Sequence, residues 1–238
     1  MLGASVERIM GLLGNESRVL DVGGGARPFR RADVVLDLMP YESRGELGAE
    51  GPGAERFTAD TWVQHDICAR EPWPFGDKEF DFAICSQTLE DVRDPIWVCS
   101  ELVRVAKAGY IETPSRLEEQ SFGIQGPWVG WGHHHWLVET EDDRVRFIFK
   151  HHVVHGRASA YFPVGFGDRL SDAERVNAFF WKDGFSYEER MFFDDSLDGY
   201  LDSFVSSELA RRGLSRPAPA RASLPRRAID LVGGRIRR

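Results

Sequence analysis

Apolar residues along the first half of the chain follow two rhythms. Val6, Ile9, Met10 and Leu13 recur at helical spacing and stop at Gly14 and Asn15, which predicts a short helix over residues 5–13. Residues 18–22 (RVLDV) form a continuous apolar burst that breaks at Gly23, Gly24 and Gly25. This is the pattern of a strand covered on both faces and running into a glycine turn. Further strands are predicted at 33–38 (DVVLDL), 62–66 (WVQHD), 80–86 (FDFAICS) and 109–113 (GYIET). Asp94 and Pro95 supply an N-cap and a first-turn proline for a helix through Ala106, with Ile96, Cys99, Leu102 and Val103 on one stripe.

The rhythm changes after residue 115. Trp, Gly and His dominate to about residue 160, which predicts an insertion or lid. Residues 177–181 and 185–193 then flank Lys182-Asp183-Gly184, a hairpin signal because Asp-Gly readily takes a tight turn. Strands alternating with crossovers and closing on a hairpin argue an α/β fold: a doubly wound, mostly parallel sheet with a late antiparallel hairpin and flanking helices. The expected organisation is one domain over 1–210, with the insertion inside it, and a Pro-containing tail over 211–238.

Charge sharpens that division. The net charge is −8, yet residues 211–238 hold nine arginines against one acid, Asp230. An acidic body argues against a nucleic-acid partner, while the basic tail offers surface contact with phosphate, anionic lipid or the body itself. No apolar run is long enough to span a bilayer and the first residues lack a basic leader, so a cytoplasmic location is the expectation. Cys68, Cys85 and Cys99 form no C-x-x-C pair and are expected reduced in the core.

Candidate chemistry begins at the glycine turn, where a backbone without Cβ atoms lets a ligand approach the strand end. Asp37, ending the second strand, suits ribose hydroxyls, and Asp66, ending the third, suits an amino group. In order along the chain, RVLDVGGGARPF (18–29), VVLDL (34–38), HDI (65–67), EPWPFGDKEFDFAICSQTLEDVRDP (71–95) and ELVRVAKAGYIETPS (101–115) resemble successive motifs of class I S-adenosylmethionine-dependent methyltransferases. The resemblance implies methyl transfer from S-adenosylmethionine; because the body is acidic and lacks a basic, aromatic nucleic-acid face, the expected acceptor is a small molecule, with a carbohydrate or natural-product hydroxyl favoured. It also implies that Asp21, Gly23, Gly24 and Gly25 line the methionine part of the cofactor and Asp37 holds the ribose. Asp66 and Ile67 would meet the adenine, and Ser86, Gln87 and Leu89 would border the methyl-donor pocket. Asp91 stands where related sequences often carry His, and only about ten residues separate the first two strands, which stunts the usual first crossover helix.

Six of the seven histidines fall between His133 and His155. Imidazole titrates near neutrality, so His134, then His133, then His135, are candidates for a general base on the acceptor side. A metal site is the sharper alternative, but no carboxylate or cysteine completes a familiar spacing nearby, so no metal is expected. Trp128, Trp131 and Trp136 are candidates for an apolar acceptor wall. Two rival functions stand beside it: a catalytically silent nucleotide-binding module of the same fold, and an NAD-dependent oxidoreductase, which the missing G-x-G-x-x-G disfavours.

Overall fold

The structure, a computed structural model, describes residues 1–193 and 195–216. Helix α1 (Gly3–Leu12) leads into strands β1 (Val19–Val22), β2 (Val34–Asp37), β3 (Trp62–Gln64) and β4 (Phe82–Ser86). Helix α2 (Pro95–Val105) and strand β5 (Ala108–Pro114) follow. No helix forms between β1 and β2; the eleven-residue connection is turns. After β5 come a short helix α3 (Arg116–Glu119), β6 (Trp136–Glu141), β7 (Arg144–Phe149), short helices α4 (Val153–Gly156) and α5 (Asp172–Arg175), β8 (Val176–Lys182), β9 (Ser186–Glu189) and α6 (Ser196–Arg211).

The strands make a six-stranded sheet in the order β3-β2-β1-β4-β5-β8 and a three-stranded sheet in the order β6-β7-β9. In the large sheet every neighbouring pair is parallel except β5 and β8. Its order is the doubly wound one, with an antiparallel strand at the far edge. The two faces explain the uninterrupted apolar runs. Leu20, Val22, Leu36, Ala83 and Cys85 point into a core shared with Val98, Cys99, Leu102 and Val105 of α2. The alternate residues Val19, Val35, Phe82 and Ile84 pack with Ile9 of α1 on the other face. Asp94 caps α2 by accepting from Trp97 N at 3.0 Å, with Pro95 at the first turn. All three cysteines are free and buried.

The turn at Asp183-Gly184 forms, with φ of +64° and +139°, but it does not join a hairpin. The strand entering it, β8, pairs with β5; the strand leaving it, β9, pairs in parallel with β7. Burial decides this: Phe179, Trp181 and Phe185 belong in the main core and pull the chain from one sheet to the next. The expected insertion is a layered body. Its β6-β7 hairpin sends Trp136, Val138, Val145 and Phe147 into the main core. From the same hairpin Leu137 and Ile148 turn to the opposite side, against Leu201 of α6. Farther along α6, Val205 and Leu209 pack with Phe162, Phe166 and Leu170.

Of the expected basic tail, Arg211, Arg212 and Arg216 pair with Glu208, Glu174 and Asp202 of the body; the remainder, from 217 on, lies outside the described residues. Among the described residues no helix is long and apolar enough to cross a membrane.

Candidate functional site

Parallel strands β1, β2 and β4 end together, and the glycine turn sits over their carboxyl ends. Two buried acids shape it. Asp21 Oδ2 accepts from Phe29 N at 2.8 Å, while Asp37 accepts from Gly25 N at 2.8 Å and from Met39 N at 2.7 Å. The acids explain the glycines: a Cβ on Gly24 would lie 2.1 Å from Asp21 Oδ2, and one on Gly25 would lie 2.7 Å from the Asp37 carboxyl carbon. Gly23, at φ +74°, would drive a Cβ into Thr88 at 2.5 Å. Burial, with Asp37 and Glu50 adding negative charge nearby, pushes the Asp21 carboxyl up to about 7, against the pull of the Phe29 amide.

Two adjoining cavities of about 210 Å³ each open around this turn. Asp21, Gly23, Gly24, Ile84, Ser86 and Gln87 line the first. The second is lined by Gly23, Asp37, Ile67, Gln87, Thr88 and Asp91. Gly23 and Gln87 are common to both, so the two form one cleft at the end of the sheet. Gln87 holds a left-handed backbone (φ +54°). Its amide N–H donates to Glu112 O at 2.8 Å, which fixes the far wall.

Not every sequence candidate reaches the cleft: Gly25 lines neither cavity, and its N–H is spent on Asp37. Asp66 lines neither cavity: it ion-pairs with Arg93 at 2.7 Å and accepts from Cys68 N at 2.9 Å, and the Arg93 hydrogen bond holds its carboxyl below the usual range. Its neighbour Ile67 does line the second cavity. Leu89 is fully buried in the main core, because the cover loop after β4 needs an apolar anchor. Asp91, for which the sequence offered no role, stands on the wall of the second cavity.

The histidine loop lies against that wall. His135 N and Trp136 N donate to Glu90 O at 2.7 and 3.1 Å, and Trp136 Nε1 donates to Val92 O at 2.8 Å, tying residues 135–136 to 90–92. His134 is 7% exposed, with Nδ1 2.6 Å from Glu119 Oε1 and Nε2 3.8 Å from Asp91 Oδ1. His133 is half-exposed, its Nε2 3.9 Å from Asp91 Oδ2. His135 is exposed and takes part through its backbone. Glu119 and Lys150 form a buried ion pair, and Lys150 also donates to Trp131 O at 2.7 Å.

Farther along, β7 stops at Phe149, so His151 and His155 do not share a strand face; His155 Nδ1 accepts from Val129 N at 3.2 Å. The three tryptophans form no common wall. Trp131 packs on His134, with ring centres 5.9 Å apart, Trp136 is buried in the core and Trp128 is half-exposed against His155.

Beside Asp91, Glu90 is buried with neither carboxyl oxygen hydrogen-bonded, and burial raises its carboxyl well above the usual range. Glu90, Asp91, Glu112, Glu119 and Lys150 escape sequence reading because single acids and a lysine without periodicity carry no local signal.

The family model described as methionine biosynthesis protein MetW matches residues 4–116. Among solved structures, a SAM-dependent methyltransferase from Aquifex aeolicus is 20% identical, covering 47% of this chain and 64% of that one, with a TM-score of 0.32. A SAM-dependent methyltransferase from Thermotoga maritima, described as a possible histamine N-methyltransferase, is 22% identical over 51% of this chain and 54% of that one, with a TM-score of 0.32. An S-adenosylmethionine-dependent methyltransferase from Mesorhizobium loti is 18% identical over 50% and 58%, with a TM-score of 0.34. The matches thus span about half to two-thirds of those proteins' lengths. No curated protein sequence matches the chain significantly. With its doubly wound strand order, its glycine turn between two strand-end acids and the family match over 4–116, the chain has the class I methyltransferase fold.

Proposed function

We propose that the protein transfers a methyl group from S-adenosylmethionine to a small-molecule acceptor, a hydroxyl of a carbohydrate or natural product being the favoured class. The observation that carries this reading is the two-part cleft pivoting on Gly23, with one buried acid, Asp21 or Asp37, on each side. Its donor and acceptor set fits the cofactor. Asp37 uses one lone pair of each oxygen on backbone N–H groups and keeps others for ribose hydroxyls. Ile67 offers an apolar face for the base, and Asp21 offers a carboxylate for an amino group, whose positive charge would favour the ionised acid.

Bound there, S-adenosylmethionine supplies a methyl group already activated on a sulfonium. The protein then has to orient the acceptor and exclude water. Ser86 and Gln87 border the first cavity, and Gln87, Thr88, Asp91 and Val92 carry the second toward the histidine loop. His134 is the acceptor-side group: when Nδ1–H is given to Glu119, the lone pair of Nε2 remains available beside Asp91. That lone pair can receive the acceptor's proton or hold a cation that activates it.

Thermal unfolding with S-adenosylmethionine, its demethylated product or NAD tests the reading. A ligand at about 100 times its Kd raises native stability by about 2.7 kcal/mol. The first two ligands are expected to raise the melting temperature and NAD to leave it unchanged. A rise with NAD alone would replace methyl transfer by the oxidoreductase reading.

A further inference from the structure

We propose that Asp91, His133 and His134 together bind one divalent first-row transition-metal ion at the edge of the cofactor cleft. The three donors come from two segments more than forty residues apart, the cover loop after β4 and the histidine loop. Their ligand atoms all lie within 4.8 Å of one another. The two imidazole nitrogens stand 3.8 and 3.9 Å from the Asp91 oxygens. Ligands about 2.1 Å from a tetrahedral metal are about 3.4 Å apart, so closing on an ion takes shifts of between a few tenths of an ångström and about 1.4 Å in the separations.

Three further observations point to a ligand rather than a chance cluster. Asp91 Oδ1 is buried and has no hydrogen-bond partner, although it faces His134. His134 Nδ1 is held by the Glu119 carboxylate, and Glu119 in turn by Lys150, the carboxylate–histidine arrangement that aims the other ring nitrogen at a metal. Backbone hydrogen bonds of His135 and Trp136 to Glu90 pin the two loops together beside the donors.

Two histidines and one carboxylate suit Zn, Mn, Fe, Co or Ni better than Mg or Ca, and leave coordination positions open. Asp91 also lines the second cavity together with Gln87, which borders both cavities, so those positions open onto the cleft. The site rests on the methyl-transfer reading only for its use. There, an acceptor hydroxyl bound to the ion would give up its proton to solvent more readily. Its oxygen then forms the new bond to the methyl carbon as the carbon–sulfur bond breaks, and sulfur keeps the electron pair.

The test uses the full chain purified without a histidine tag and stripped with chelator. Co²⁺ and Zn²⁺ are titrated by calorimetry and visible absorption, with bound metal counted by elemental analysis. The wild type is expected to take one equivalent and to give the d–d bands of a low-coordinate Co²⁺ site. Asp91→Asn, His133→Ala and His134→Gln should each weaken binding at least tenfold, whereas His151→Ala should not. His133→Ala alters a half-exposed side chain and guards against misfolding of the buried variants. Wild-type affinity in Asp91→Asn, or no bound metal in the wild type, would overturn the site. S-adenosylmethionine titrated into the metal-free protein separates the two ideas: cofactor binding without a metal site removes only the metal, and metal binding without cofactor binding removes only methyl transfer.

Discussion

The sheet half and the insertion each bury acids, with different partners. Asp21 and Asp37 are answered by backbone N–H groups eight and twelve residues away, all within one turn-rich connection. Glu119 is answered by side chains: His134, fifteen residues on, and Lys150, thirty-one residues on, both carried by the insertion. Backbone donors are fixed once β1 and β2 pair. Side-chain donors exist only after the insertion has folded onto α3, so this cluster depends on tertiary packing at every point.

The largest expected effect comes from removing the insertion's acid. Glu119→Ala leaves the Lys150 charge buried with no counter-charge and only the Trp131 carbonyl as acceptor, and should lower unfolding stability by about 3–5 kcal/mol in urea titrations. If the acids of the glycine turn are as self-contained as their backbone bonding indicates, cofactor affinity stays unchanged in the folded variant. A loss below about 1 kcal/mol would show that Lys150 finds another partner and that the cluster is not a structural unit.

Asp21 sharpens the comparison through pH. Its carboxyl rises from 3.8 to about 7 on folding, so between those values the native state holds a proton that the unfolded chain has released. Its contribution to stability is fully present below about pH 4 and is lost as pH climbs through 7. Asp21→Asn should remove this slope. The wild-type stability minus that of the variant should fall by a few kcal/mol between pH 4 and 8, measured by denaturation at a series of pH values. Parallel curves would mean that Asp21 is ionised in the native protein.

Asp37→Ala tests the same turn with the smallest effect. The loss of acceptors for ribose hydroxyls should weaken S-adenosylmethionine binding by about 1.5–3 kcal/mol in calorimetry. It should also cost some stability, because Gly25 N and Met39 N lose their acceptor. Unchanged affinity would reduce Asp37 to a cap of the turn.

The late strands show where sequence patterning stops. Asp183-Gly184 gives a turn in sequence and in structure. A turn fixes the local reversal of the chain and leaves the partner open. β9 takes β7 because the insertion offers a free edge there, while β5 has already claimed β8. The residues predicted to meet the cofactor divide in the same way. Gly23, Gly24, Gly25 and Asp37 are legible because strand, turn and strand-end acid follow one another within twenty residues. Asp66 is also a predicted strand-end acid but leaves the cleft because Arg93 captures it, and Leu89, in the loop after β4, leaves it because the core needs it.

The sequence by itself determined the parallel sheet, the two helices on its faces, the shortened crossover after β1 and the glycine turn, since each follows from periodicity and backbone limits within a short stretch. Tertiary structure alone decided which histidine is buried, which carboxylate it meets and which side of the cleft it faces. His133, His134 and His135 are chemically identical in sequence. Only the packing of their loop against residues 90–92, and the placing of Glu119 beneath it, makes one of them a buried, oriented imidazole and leaves the others more exposed.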